Sequence, residues 1–351
     1  MVFYYYLFTI VLLLALFGDI SRNNKSLGNN TVIYRIVLFF VSALLILVAS
    51  IRYEVGTDYT AYIWQANDML SLSFNEAIVK YELFYILFTK LSYGLFDSMQ
   101  FFYLIIALLI TVPFALAIKH FEESMFYVFL FFFVTTIFFI SLNAMRQMAA
   151  FSICFYALKY LRNKKKVFFL LIVFATLWHT SAIIYLSLYF LNKIKLDRIY
   201  ILVLVSFVVL KSGLNILIVS FIEKTGLPME FYFAAQEGAS SRMFILISTI
   251  VFILFKFLVK KENENSNLYY NLSLINVGVA IFADGIPGAY RLVYMFYPFY
   301  CFICPFMIKN TRFKQKIVMA IVLFGLFSIY FYRQQILGNA NEIIPYKTIF
   351  M

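Results

Sequence analysis

Arginines beside apolar segments are the side chains of this 351-residue chain best suited to hold an anion. They are Arg52, Arg146, Arg242, Arg291 and Arg333. Arginine near hydrocarbon is costly and usually marks an anion or a buried ion pair, and its planar guanidinium matches the oxygens of a phosphate. For each arginine taken singly, the alternative is a side chain that extends its charge to the lipid headgroups.

Three of these arginines begin apolar segments, which predicts that they lie in the first turn of a helix. They are Arg146, Arg242 and Arg291, and Ser241 before Arg242 is a good N-cap type. A helix N-terminus carries unpaired N–H groups and the positive end of the helix dipole. Three such ends facing one cavity would suit a pyrophosphate. Asp284 near Arg291 is a further candidate binding residue or only its counter-ion.

The richest polar segment is IRYEVGTDYTAYIWQ, residues 51–65. Gly56 permits a tight turn, and Asp58 follows in a loop or N-cap position. Tyr59, Tyr62 and Trp64 add aromatic faces. Aromatic rings with a carboxylate at a membrane surface suit sugar binding, and they equally suit an interfacial aromatic belt.

His179 is the candidate acid–base residue inside an apolar segment, within WHTS of segment 167–191. A lone histidine there is either a satisfied structural residue or a functional one, and its place at a break in the segment supports the second reading. Glu82, which opens segment 83–96, is a further candidate acid. His120 stands beside Glu122 and Glu123 and is expected to be inert.

The composition determines what kind of protein must position these groups. The chain is 64% apolar and 13% charged, whereas soluble domains are roughly 45–50% apolar and about 25% charged. This excludes a soluble globular fold, disorder and ordinary nucleic-acid binding, and the continuous apolar runs disfavour a β-barrel. Lys and Arg in cytoplasmic loops account for the net charge of +12. The three cysteines are interpreted as packing residues, with no metal site.

Apolar segments suited to membrane helices recur along the whole chain. They are 2–17, 32–51, 83–96, 101–118, 125–142, 145–161, 167–191, 199–220, 242–259, 268–283, 292–308 and 317–331. A span takes about 20 residues, so the chain is predicted to be an all-α polytopic membrane protein with about 10–12 transmembrane helices. One domain over 1–351 is expected, with no inserted soluble domain. The first segment is expected to be a retained span rather than a signal peptide.

Basic segments predict the orientation. RNKKK (162–166) and KIKLDR (193–198) should both face the cytoplasm, and one ordinary span between them would separate them. Segment 167–191 is therefore predicted to be a pair of half-helices that dips in and returns, with His179 near the turn. The same test predicts that segment 83–96 does not cross the whole membrane. Loops 52–82, 143–146 and 221–241 then face outward. Loop 18–31, which contains Lys25, faces the cytoplasm. The rival topology has all twelve segments spanning.

Several motifs together resemble the EpsG-like family of polysaccharide polymerases. RYEVGTDYTAY at 52–62 is similar to the family pattern R-Y-x-V-G-x-D-Y-x-x-Y. Shorter matches are Tyr81–Glu82, Arg146–Gln147 at a helix start, His179 with Ser181 and Ala182, and IPYK at 344–347. The resemblance extends over most of the chain.

The resemblance implies a polymerase that works like the Wzy enzymes of capsule, exopolysaccharide and O-antigen, in the bacterial cytoplasmic membrane. Its substrate would be an oligosaccharide repeat unit on undecaprenyl pyrophosphate. The growing chain would pass to a new lipid-linked unit outside the cytoplasm, without a cofactor, a metal or nucleic acid. Membrane lipid is an expected partner, with a flippase and a chain-length regulator as further ones.

Candidate roles follow from this reaction. Arg146 and Arg291, then Arg52, would stabilise the leaving pyrophosphate, and Asp58 or His179 would be the base. The further substrate-binding candidates are Tyr59, Tyr62, Glu82, Gln147, Arg242 and Asp284.

Three other activities stay open. A lipid-linked oligosaccharide flippase would tend to show internal repeats, which the sequence lacks. A polysaccharide O-acyltransferase would need an acyl path to a histidine. A ligase would use the same donor chemistry as a polymerase.

Overall fold

A computed structural model describes residues 1–23, 31–225, 241–260, 265–286 and 289–350. In these ranges the chain is helical, with only two isolated β-bridges, Arg52–Thr348 and Val259–Thr311. The described chain divides into two compact units, Met1–Leu186 with Phe331–Met351, and Ser187–Tyr330. The single domain over 1–351 stays a prediction beside this division. Half of the predicted loop 18–31, Lys25 included, and most of the predicted loop 221–241 lie outside the described residues.

The first unit is a bundle of membrane-length and shorter helices. Its helices are α1 (Val2–Asn23), α2 (Thr31–Ser50), α3 (Tyr59–Ser71), α4 (Phe74–Lys80), α5 (Leu83–Phe96), α6 (Gln100–Phe121), α7 (Met125–Val134), α8 (Ile137–Asn143), α9 (Met145–Ala157) and α10 (Lys165–Thr176). Helix α6 packs against α2 and α9, and α1 packs against α2 and α7. A π-helical turn, Tyr332–Leu337, follows the last long helix.

The two ends of this bundle are held by different contacts. At one end the carboxylate of Asp19 accepts hydrogen bonds from the Ser124 hydroxyl and from the N–H groups of Met125 and Phe126, so it caps α7. At the other end the C-terminal segment 338–349 pairs with the loop after α2. The Tyr53 N–H donates to the Lys347 carbonyl (3.0 Å), and the Gly56 N–H donates to the Glu342 carbonyl (3.1 Å). The starts of α1 and α9 lie at this second end as well.

Segment 125–142 was expected as one span, and the structure instead bends it by 62° between α7 and α8. The Thr135 hydroxyl donates to the Phe131 carbonyl, and Thr136 adopts a left-handed φ of 66°. Hydroxyl side chains that bond to the backbone compete with regular helix geometry. Because apolar residues continue through the bend, hydropathy alone does not reveal it.

Segment 167–191 breaks where the sequence predicts. Helix α10 ends at Thr176, and a 3₁₀ helix, Thr180–Leu186, begins after His179 and packs back against α10. The other predicted partial segment forms α5 over the predicted range, and its Lys90 donates to the Leu72 carbonyl (2.8 Å).

The second unit is built around the helix Ser266–Ala283, most of whose residues are buried. Its helices are α11 (Ser187–Leu191), α12 (Tyr200–Thr225), α13 (Arg242–Leu258), α14 (Ser266–Ala283), α15 (Tyr290–Phe296), α16 (Tyr300–Asn310) and α17 (Phe313–Phe331), which ends in the first unit. Helix α14 packs against α12 and α13. Its Asn271 amide donates to the Leu191 and Ile194 carbonyls (2.7 Å each), which fixes the turn after α11.

Six helices of the described chain are long and apolar enough to cross a membrane, and the bent pair α7–α8 would make a seventh. The six are Val2–Asn23, Thr31–Ser50, Gln100–Phe121, Tyr200–Ser220, Tyr290–Asn310 and Gln315–Leu337. The protein is therefore an all-α multi-pass membrane protein, as the sequence predicts. The sequence predicts a larger number, about 10–12, because that prediction also counts shorter helices as membrane spans.

Candidate functional site

Three of the predicted site residues form a hydrogen-bonded cluster in the first unit. The Glu82 carboxylate accepts from Arg146 Nη1 through Oε2 (2.5 Å), and its Oε1 lies 2.9 Å from His179 Nδ1. The side chains of Glu82, Arg146 and His179 are 12%, 18% and 23% exposed. The cluster is therefore shielded, yet each member keeps some accessible surface.

Aromatic and amide side chains surround the Arg146 guanidinium. It lies 4.1 Å from the Tyr85 ring centre and 5.7 Å from that of Tyr62, and Nη2 donates to Gln65 Oε1 (3.4 Å). Cation–π contacts of this kind hold a guanidinium without neutralising its charge. Tyr62 was a predicted substrate-binding residue, and in the structure it is buried beneath Arg146.

Two helix starts, one backbone hydrogen bond and one aromatic contact bring this cluster together. Arg146 is the second residue of α9, and Glu82 immediately precedes α5. The Phe84 N–H in the first turn of α5 donates to the Leu177 carbonyl at the end of α10 (3.1 Å), which ties the two elements. Trp178 is 1% exposed and stacks on Phe88, so the residue before His179 is fixed by packing.

The charges of the cluster favour an ionised Glu82. Burial works to raise the pKa of this carboxyl, but the hydrogen bond with His179 and the charge of Arg146 outweigh it and lower the pKa to about 2. Glu82 is thus a carboxylate at neutral pH. It can accept both hydrogen bonds at once, one on each oxygen.

Arg52 lies in a different environment at the same end of the bundle. It is 0% exposed, and its Nη1 donates to the Val55 carbonyl (3.0 Å) and to the Leu142 carbonyl. Its guanidinium also lies 5.2 Å from the Tyr103 ring centre. No carboxylate of the described chain pairs with it, and burial lowers its pKa.

The remaining residues of the 52–62 motif pack around Arg52. Tyr59 is buried 6.0 Å from the guanidinium, and a Cβ on Gly56 would lie 2.4 Å from Asn143 Oδ1. The N–H of half-buried Asp58 lies 3.5 Å from the same oxygen. The Asn143 amide donates in turn to Asn341 Oδ1 (2.9 Å). The motif therefore joins the loop after α2, the α8–α9 junction and the C-terminal segment.

The other predicted residues have their own contacts within each unit. Gln147 is buried within α9. In the second unit, Arg242 and Arg291 lie in the first turns of α13 and α15, as predicted, and both are exposed. Asp284 pairs with Lys211 (3.3 Å) and accepts from the Ser241 N–H (2.9 Å). The convergence of Arg146, Arg242 and Arg291 on one pyrophosphate stays a prediction.

Sequence reasoning missed Gln65 and Tyr85 as members of the cluster. Both follow a recognised residue by three positions, Gln65 after Tyr62 and Tyr85 after Glu82. Residues three apart share a helix face, so this spacing was the available signal. Lys211 was missed because it stands within an apolar run, where an ionisable residue is itself a signal.

Comparison with known proteins identifies the family of the chain. No curated protein matches the chain. No solved structure matches it either. Residues 33–348 match the EpsG family, and this match covers nearly the whole chain. Membership of this family supports a polysaccharide polymerase-like role. The chain, with its cluster of Glu82, Arg146 and His179, belongs to the EpsG family.

Proposed function

We propose that the chain is a membrane-embedded polysaccharide polymerase at the extracytoplasmic face of a bacterial cytoplasmic membrane. It transfers a growing glycan from undecaprenyl pyrophosphate onto a new lipid-linked repeat unit. Family membership and the multi-pass fold support the general role. The observation that carries the reaction is the cluster in which Glu82 bridges Arg146 and His179.

His179 is the proposed general base. With Nδ1 protonated and donating to Glu82, Nε2 keeps its lone pair for the acceptor hydroxyl. Nε2 takes the hydroxyl proton as the acceptor oxygen bonds to the anomeric carbon of the donor. The ionised Glu82 fixes the ring orientation and stabilises the imidazolium, which later releases its proton to water. Asp58 is less favoured because its backbone makes its described hydrogen bonds, from the Asp58 N–H to Asn143 Oδ1 and from the Tyr62 N–H to the Asp58 carbonyl.

Arg146 is the proposed electrophilic group. As the new bond forms, the bond from the anomeric carbon to the pyrophosphate oxygen breaks, and its electron pair stays on that oxygen. Fixed positive charge stabilises this development. A guanidinium has five N–H donors, and Glu82 and Gln65 accept from only two of its nitrogens. Further donors can therefore reach phosphate oxygens while Glu82 holds the group in place.

Glycan length in a strain lacking the gene tests the proposal. We expect His179→Gln to make no polymer and to accumulate lipid-linked single repeats, with Glu82→Gln strongly reduced. His120→Gln and Glu54→Gln are matched controls, since both side chains lie outside the cluster and should support normal polymer.

Other outcomes point to other activities. Long polymer from His179→Gln, with the variant present at normal level, would remove the cluster from the chemistry. Unextended units trapped at the cytoplasmic face would indicate a flippase. Normal length with missing acyl groups would indicate an O-acyltransferase.

A further inference from the structure

Polar and aromatic side chains continue from the Arg146 cluster along the exposed side of α3. Gln65 contacts Arg146, Asp68 follows one turn later, and exposed Trp64 lies four residues before Asp68. We propose that Trp64, Asp68, Lys80 and Tyr81 form a saccharide-binding subsite for the glycan unit next to the bond being formed. This inference rests on the proposed polymerase function.

Hydrogen bonds arrange the polar part of this subsite. Asp68 Oδ2 accepts from the Tyr81 hydroxyl (2.8 Å) and lies 3.3 Å from Lys80 Nζ. The side chains of Asp68 and Lys80 are 38% and 55% exposed, so water or a ligand can reach them. The Tyr81 hydrogen bond and the Lys80 contact lower the pKa of Asp68, which is therefore a carboxylate at neutral pH.

Trp64 provides an apolar face next to that carboxylate. It is 71% exposed, and residues four apart lie on the same face of a helix. A pyranose ring has an apolar C–H face and hydroxyls around its edge. An indole beside a carboxylate matches both features, since the ring stacks and the carboxylate accepts hydroxyl hydrogens.

The subsite is continuous with the cluster rather than a separate patch. Tyr81 directly precedes Glu82, and its ring centre lies 5.9 Å from that of Tyr85, which packs under Arg146. Gln65 links the other side through its contact with Arg146. In a glycan whose reacting end lies at Arg146, the unit next to that end would be the first to contact α3. A ring that only anchored the protein in the lipid interface would need no ordered carboxylate beside it.

The two tryptophans of the chain allow a direct binding test. Trp64 is 71% exposed and Trp178 is 1% exposed, so iodide should quench mainly Trp64 in the purified, detergent-solubilised protein. The probe is the repeat-unit oligosaccharide freed from its lipid by mild acid. We expect it to protect Trp64 from iodide, with the apparent dissociation constant raised at least 5-fold in Asp68→Asn. Quenching of Trp64 by brominated lipid, or its protection from iodide by anionic lipid, without protection by the oligosaccharide would overturn the proposal in favour of a membrane anchor.

Polymer length gives the test in cells. We expect Trp64→Ala to shorten the median polymer at least twofold and also to slow the first coupling of two repeats, because the subsite holds the unit next to the bond being formed. Trp64→Phe keeps a stacking face and should restore most of the length, and it is the variant to use if Trp64→Ala is poorly inserted. Normal length in Trp64→Ala and Asp68→Asn, with His179→Gln inactive, would refute the subsite alone. Polymer in His179→Gln would instead refute the underlying function.

Discussion

Two arginines at one end of the same bundle differ in what surrounds them. Arg52 is fully buried and donates to backbone carbonyls, without a carboxylate partner in the described chain. Arg146 is part-exposed, and its partners are the side chains of Glu82 and Gln65. Carbonyl acceptors fix backbone segments, whereas a side-chain carboxylate fixes a guanidinium that stays partly accessible. The sequence predicts a pyrophosphate contact for both arginines, with Arg146 preferred, and burial separates them.

The contrast assigns Arg52 a positioning role. It holds the Leu142 carbonyl at the end of α8, and Nη2 lies 2.7 Å from Met145 Sδ at the start of α9. Arg146 is the next residue. Loss of Arg52 should therefore affect the fold first and the chemistry through it, while loss of Arg146 should affect the chemistry directly.

Arg146→Gln is expected to give the largest effect. Removal of a group that stabilises charge in the transition state typically costs about 100-fold or more in rate, near 2.7 kcal/mol. We expect at least that loss of glycan polymerisation at normal protein level in the membrane, with the melting temperature in detergent lowered only by the lost pairing with Glu82. Arg333→Gln, an exposed arginine in the π-helical turn, is the matched control. Unchanged polymer in Arg146→Gln would mean that Arg146, like Arg52, only positions neighbouring segments.

Arg52→Gln tests the other half of the comparison. It leaves the buried carbonyls of Val55 and Leu142 with poorer donors, and each unsatisfied buried group costs about 1–3 kcal/mol. We expect a loss of about 2–4 kcal/mol in unfolding free energy, seen as a lower melting temperature in detergent and a lower membrane level. Arg52→Lys should recover little, since an ammonium lacks the planar fork. Normal stability with lost activity would instead indicate contact with substrate.

Gly56→Ala probes the same junction with a smaller change. Gly56 has a φ of 109°, and an added Cβ would meet Asn143 Oδ1 at 2.4 Å. The strain and the clash should cost about 1–3 kcal/mol of stability. Gly94, where a Cβ would meet no atom within 4 Å, gives the matched control Gly94→Ala. Equal melting temperatures of the two variants would mean that the α8–α9 junction is not held as described.

Sequence reasoning succeeded where a pattern had a single physical reading. Long apolar runs gave the all-α membrane fold, and the conflict between two basic loops gave the break at His179. It failed where several readings shared one pattern. An arginine beside an apolar segment has the same signature whether it binds carbonyls or a carboxylate, so the sequence places Arg52 after Arg146 but predicts a pyrophosphate contact for both. The bend at Thr135–Thr136 depends on a side-chain hydrogen bond, which hydropathy does not record.

The pH dependence of stability is the smallest of these effects, and the pKa of Glu82 sets its direction. The folded pKa of Glu82 is lowered from 4.5 to about 2, so its ionised form stabilises the fold. That contribution is complete above pH 4.5 and is lost as pH falls toward 2. The melting-temperature difference between wild type and Glu82→Gln should therefore be constant from pH 8 to 5 and shrink below 4.5. Glu54→Gln, which removes an exposed carboxylate paired with Lys347, should show almost no difference at any pH. A difference that grew on acidification would mean that Glu82 is protonated in the folded protein, and that it holds neither Arg146 nor His179 as an anion.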